Sequence, residues 1–312
     1  MVSFRYHVVT IVAVFVALAV GILMGSTLLD QNLVHTLQNQ TADMSQTISS
    51  LTKKVNDQQT QLNAVEKFVG DAMPSLVGGR LEGKQVILLT EHGIDLSTLN
   101  KVRQSLAGPD GAGASVQGVV VMNPSMTLSD PASRATAARI LGVPASTSSA
   151  RLSQELARAL GDRLATGPPT ATGQSDLLQE MVDAKLVTLS DAAGGAGAIG
   201  GADVPVVALS GSAPSTPVDA RTFYVPLFDQ LVANGTPTAA ASSSTTSSPF
   251  LDQIRADGGV DGKILTVDDV DLAPGQVALV WGLQRLINGD DGGDYGLSCG
   301  TCSLAPSPAP TP

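Results

Sequence analysis

Cys299 and Cys302 are the two cysteines of the chain, set as Cys299-Gly300-Thr301-Cys302. Two thiolates at this spacing can hold a soft ion such as Cu(I). They can equally close a small disulfide, which an oxidising compartment favours. No His or Met lies near them to complete a larger soft-metal site. A thioredoxin-like pair sits where a strand runs into a helix, and a Pro/Ser-rich tail provides neither. A copper ion at Cys299 and Cys302 is therefore the one candidate ligand, and no other cofactor is expected.

The remaining candidates are thinner. The histidines are His7, His35 and His92. His92 follows Glu91 at the end of an apolar run, where open α/β sheets place their sites. No H-E-x-x-H occurs in the chain to supply a metal-bound water. His92 reads as a turn residue, with a catalytic role as the alternative, and no catalytic residue is named. Gly195, Gly197 and Gly200 spell G-x-G-x-x-G. A dinucleotide site needs a helix N-terminus next, because its amides hold the pyrophosphate. Here another apolar run, Val204–Leu209, follows at once, so the glycines read as a linker. Asp268, Asp269 and Asp271, and Asp290, Asp291 and Asp294, do not fit the EF-hand spacing. They read as solvated loop acids.

Placing any of these residues needs a membrane segment, a stalk and a domain. From Val8 to Leu29 there are 22 residues without a charge. At 1.5 Å per residue this is long enough for a hydrocarbon core of ~30 Å. Arg5 precedes it, and no Lys or Arg follows until Lys53. The positive-inside rule puts the N-terminus in the cytoplasm and the rest outside a cell membrane crossed once. Ala17-Leu18-Ala19 also resembles a signal-peptidase site. The apolar run continues well past it, so an uncleaved anchor over residues 1–29 is expected. Gly21 and Gly25 form a G-x-x-x-G pair that can let two membrane helices pack.

Residues 30–72 carry heptads. With Val34 at position a, the a series continues through Thr41, Ile48, Val55, Leu62 and Val69. The d series is Leu37, Met44, Leu51, Gln58 and Val65. Branched a positions favour parallel two-stranded coils, and a shared membrane anchor makes partners run parallel. A parallel coiled-coil stalk pairing with a second copy is expected, with a lone amphipathic helix as the alternative. Met73-Pro74 and Gly78-Gly79 are expected to end it.

Over residues 80–296 the period changes. Gln85–Thr90, Gln117–Met122, Leu186–Leu189, Val204–Leu209 and Lys263–Val267 read as buried strands. Amphipathic stretches separate them, among them Pro131–Leu141 behind Asp130 and Gln276–Ile287. Alternation of this kind predicts an extracytoplasmic α/β domain with a mainly parallel sheet. Ala193–Ala202 and Thr236–Pro249 read as unstructured, and 297–312 as a disordered Pro/Ser tail carrying the cysteines. The net charge is −10, with no basic patch, which argues against a nucleic-acid partner. The chain has 10 aromatic residues (one Trp, three Tyr, six Phe). A transmembrane barrel needs aromatic girdles and an even number of alternating strands of about ten residues. The sequence fits an anchored, non-enzymatic envelope protein better than an outer-membrane pore.

The stretch Ser3–Asp30, SFRYHVVTIVAVFVALAVGILMGSTLLD, resembles the opening of the actinobacterial MctB "copper transporter" family. The tract Gln276–Gly296, QVALVWGLQRLINGDDGGDYG, is similar to that family's C-terminal helix and its Tyr-Gly ending. The resemblance implies a part in copper resistance by efflux across the outer membrane. Members are also described as SteB, a partner of peptidoglycan hydrolases in daughter-cell separation, which implies envelope or division proteins as partners. It implies no metal ligands, so Cys299 and Cys302 stand on their own chemistry.

Overall fold

A computed structural model describes residues 4–171, 173–211, 218–246, 249–297, 299 and 302–307, with side chains described over 6–25 and from 38 onward. The chain forms two compact units, 1–65 and 66–312. One helix, α1 (Phe4–Val77), makes up the described part of the first. Its last turns belong to the second.

The second unit is built on a sheet of β1 (Gln85–Glu91), β2 (Ser115–Met122), β3 (Val187–Ser190), β4 (Val206–Ser210), β5 (Thr238–Ser242), β6 (Leu265–Val267) and β7 (Gly293–Tyr295). The spatial order is β3-β2-β1-β4-β5-β6-β7. Every neighbouring pair is parallel except β2 with β3. The expected mainly parallel α/β domain is thus present, and the chain reverses its direction of travel between β1 and β4.

Side chains alternate along a strand, so each strand feeds two cores. Ile87 and Leu89 of β1 face one layer, with α3 (Pro131–Leu141), α4 (Ser149–Thr166), α5 (Leu177–Asp183) and α6 (Val225–Ala233). Val86 and Leu88 face the other, with α2 (Leu96–Ala107), α8 (Ala273–Ile287) and the end of α1. Each fully buried Val or Leu is worth about 1.5–3 kcal/mol, which stabilises strands of only three to eight residues. Helix starts are set locally. Asp130 accepts from the amides of Ala132 and Ser133, with Pro131 in the first turn.

Several expectations are corrected. Of the two expected helix ends, Gly78-Gly79 matches and Met73-Pro74 does not: the helix runs to Val77 with Pro74 inside it, past residue 72. Val69, counted as a seam residue, packs with Met73 and Leu76 against the second core. The Trp281 indole N–H donates to the Leu76 carbonyl at 2.8 Å, which ties the helix end to α8. The Ser/Thr-rich stretch 236–249 contains β5, whose Ala239, Ala240 and Ala241 are fully buried. Small side chains let the covering helices approach a central strand closely, but they also disguise it as low-complexity sequence. α7 (Phe250–Arg255) follows it.

The Gly/Ala stretch 193–202 is packed rather than loose. The buried guanidinium of Arg163, on α4, donates to the carbonyls of Ala196 and Ile199 at 2.9 and 2.8 Å. It also makes a two-pronged pair with Asp176, at 2.6 and 2.8 Å. Burial opposes the Asp176 charge, but Arg163 and the α5 amides hold its pKa below the usual carboxylate range. The segment makes one 3-10 turn, Ala196–Ala198, and then runs into β4, so the three glycines do not open an α-helix.

Candidate functional site

All parallel strands end on one edge of the sheet, the side where α/β folds assemble sites from loops. Glu91 closes β1 on the same face as Ile87 and Leu89. Its Oε1 accepts from the Tyr224 hydroxyl at 3.1 Å. Its Oε2 is buried with no hydrogen-bond partner among the described residues. Burial pushes the carboxyl pKa up to about 7, while the Tyr224 hydroxyl and the Val218 amide pull it back. Burial, and then the Glu91 charge, raise the Tyr224 phenol well above its ordinary value. The Tyr224 ring stands edge-on to Phe223 and Phe250. Glu91 is therefore an acid close to half ionisation at neutral pH, in an aromatic box. His92 beside it is exposed, and its amide donates to the Met122 carbonyl as in a turn.

A second cluster sits at the ends of β5 and β6. Arg255 of α7 donates from Nε to Thr266 Oγ1 at 2.7 Å and pairs with Asp268 at 3.2 Å and Asp294 at 3.4 Å. Asp268 and Asp269 are buried, not solvated as expected. Burial raises the Asp268 pKa, and the Arg255 charge pulls it back. Asp271 accepts from both the amide and the hydroxyl of Ser244 at 2.6 Å. Between these groups lies a cavity of about 160 Å³, lined by Ser242, Ser243, Ser244, Asp252, Arg255 and Asp268.

The cysteines close over this cluster. Cys299 and Cys302 are joined by a disulfide, with Cα atoms 5.3 Å apart. The turn they make returns the chain to the domain. The Cys299 amide faces the Asp268 carboxylate, and the Leu297 amide donates to Asp269 Oδ2 at 2.8 Å. The Gly296 amide donates to the Ser303 carbonyl at 3.0 Å. Ala305 packs on the second core and Pro306 is buried. The start of the expected disordered tail is therefore docked, because the cystine turn satisfies two buried carboxylates. As a disulfide, neither sulfur is a thiolate ligand.

In the first unit, Tyr6–Gly25 is apolar and long enough to cross a membrane. Beyond it, Met44, Ile48, Leu51, Val55, Leu62 and Val65 are each 54–65% exposed. Val34 and Leu37 lie outside the residues whose side chains are described.

From residue 1 to residue 306 the chain matches the family model described as "Copper transport outer membrane protein, MctB". The chain belongs to this family. It is 27% identical to the "Copper transporter MctB" of Mycobacterium tuberculosis over 98% of this chain and 100% of the relative. The identity is the same to the protein of that name from Mycobacterium bovis. It is 26% to that of Mycobacterium leprae, over 97% of this chain and 99% of the relative.

The MctB family membership fits the anchor helix and agrees with the resemblance of both chain ends. It does not single out a metal site. Among the described residues no three or more His, Cys, Asp or Glu side chains are grouped to hold a metal ion. Sequence reasoning missed Arg255, Ser242 and Tyr224. Asp268 and Asp269 alone left a signal, as acids next to an apolar run.

Proposed function

We propose that this MctB-family protein is a non-enzymatic, membrane-anchored accessory of copper export, working as an assembly factor and not as the conduit. Copper is its cargo, not a resident cofactor. The observation that carries this reading is the row of exposed apolar a and d residues from Met44 to Val65 on a chain with one membrane-length apolar helix among the described residues. Apolar stripes at heptad spacing are stable when covered by another helix. A second copy, parallel through the common anchor, supplies that cover. The open sheet, with helices on both faces and strands of three to eight residues, is not the wall of a pore. The charge asymmetry around the anchor puts the N-terminus in the cytoplasm and the α/β domain outside.

If Cys299 and Cys302 hold Cu(I), they do so only after an external dithiol reductant takes their disulfide to two thiolates and is itself oxidised to a disulfide. Cu(I) affinity of the reduced full-length protein, measured against the double Cys→Ser variant, tests that step. Equal affinities would remove it.

The same stripe supports a second reading, a scaffold for cell-wall hydrolases in cell separation. One experiment separates the two: copper tolerance of a strain lacking the gene, with cells imaged in the same cultures. Selective copper sensitivity with normal division supports the export accessory. Unchanged tolerance with unseparated cells supports the scaffold and overturns the copper reading.

A further inference from the structure

The cavity at the ends of β5 and β6 has free groups of a particular kind. Ser242 is only 5% exposed, lines the cavity and makes no side-chain hydrogen bond among the described residues. Its oxygen is not one of the fully buried side-chain atoms without a partner, so the hydroxyl opens on the cavity, where water or a ligand can reach it. The neighbouring hydroxyls are engaged: Ser243 with Thr245, Ser244 with Asp271, and Thr246 with the Gly211 carbonyl. Asp252, in the first turn of α7, is exposed and accepts no hydrogen bond within the protein among the described residues. The Arg255 guanidinium has five N–H groups. Its bonds to Thr266, Asp268 and the Tyr295 carbonyl leave at least one N–H over.

Charge and donor type narrow the ligand. Asp252 and Asp268 outnumber Arg255, and Asp294 takes a share of its charge, so an anion is repelled. No sulfur or imidazole lines the space, so a soft metal has no ligand. A hard cation at Asp268 would meet the guanidinium already paired there. What remains is a neutral molecule that both donates and accepts, small enough for about 160 Å³. We propose that this cavity binds the vicinal hydroxyls of a single sugar ring. Asp252 accepts from one hydroxyl, Arg255 donates to the neighbouring oxygen, and Ser242 does either. A few convergent polar groups in a concave site are how small neutral ligands are oriented. The cystine turn, through the Cys299 amide on Asp268, holds the acidic wall in place. The proposal is independent of copper.

The test is saturation-transfer NMR on the full-length protein in lipid nanodiscs, which avoids sugar-headed detergents. The probes are the methyl pyranosides of glucose, mannose and galactose, soluble oligosaccharides ending in the same rings, and cyclohexanol as control. Transfer is expected to at least one pyranoside and not to cyclohexanol. Asp252→Asn, at an exposed position that does not threaten folding, is expected to weaken binding about tenfold. Ser242→Val, which fills the cavity, is expected to abolish it. Stronger transfer to an oligosaccharide would support the site and assign the end of a glycan chain as the source. No transfer to any sugar, or a signal unchanged in Asp252→Asn, would overturn the proposal and leave the cavity to water.

Discussion

The two units handle apolar surface in opposite ways. In the α/β unit, the apolar residues of β1, β4, β5 and β6 are all buried under the unit's own helices, down to the small Ala239–Ala241 run. In the first unit nearly every apolar side chain among the described residues is open. Val9, Phe15 and Leu23 of the anchor, like Ile48 and Leu51 beyond it, are all more than half exposed. The α/β unit contains its own solvent-excluding partner. Under the function proposed above, lipid covers the uncharged stretch of this helix and a second helix covers the heptads. A fold is legible from one chain only where that chain buries itself.

The largest effect should come from breaking the cover of the heptads. Ile48→Asp with Leu51→Asp changes four side chains in a dimer, each worth about 1.5–3 kcal/mol when buried. Sedimentation of the full-length protein in nanodiscs or detergent should then show monomer. A variant that stays dimeric would refute the self-paired stalk, while near-ultraviolet circular dichroism of the α/β unit should not change.

On the other side of the comparison, Arg163→Met leaves the partly buried Asp176 without its partner and the Ala196 and Ile199 carbonyls without a donor. The expected loss is about 3–5 kcal/mol in urea unfolding of the α/β unit, with association through the stalk unaffected. A loss below about 1 kcal/mol, the range of an exposed pair, would mean that the pair does not organise the 193–202 segment.

Glu91 sharpens the contrast with a pH dependence. Its folded pKa, about 7, lies above the ordinary 4.5. The fold favours the protonated form, so its contribution is full below about 4.5 and is lost as pH rises through about 7. The difference amounts to roughly 3 kcal/mol at 1.36 kcal/mol per unit. Glu91→Gln should flatten the stability profile between those limits. An unchanged slope would show that Glu91 ionises freely in the fold.

The smallest expected effect is at the cystine. A loop this short constrains the unfolded chain by about 2 kcal/mol at most. Cys299→Ser with Cys302→Ser should leave the sheet folded while amide exchange quickens at Gly296 and Leu297. Protection equal to that of the parent protein would mean that the tail docks without the cystine.

Much was legible in the residues alone. The uncharged run of 22 residues announces a membrane helix by length, and periodicity locates β1, β2, β4 and most helices within a few positions. Asp130-Pro131 marks the start of α3 to the residue. These features are local: they depend on neighbours three or four positions away. β5 was hidden because Thr-Ala-Ala-Ala-Ser carries no hydrophobic pattern, and its burial comes from helices elsewhere in the chain. The 193–202 segment was hidden because its order comes from Arg163, more than thirty positions earlier.

By itself, the sequence determined an apolar helix of membrane-spanning length and the alternation that makes a mainly parallel α/β sheet, since chain length and side-chain period dictate each. Only the tertiary structure decided that Cys299 and Cys302 close over Asp268 and Asp269, and that Ser242, Asp252 and Arg255 meet around one cavity. These residues come from three segments, and in a parallel sheet only the crossover connections bring strand ends that far apart in sequence to one edge.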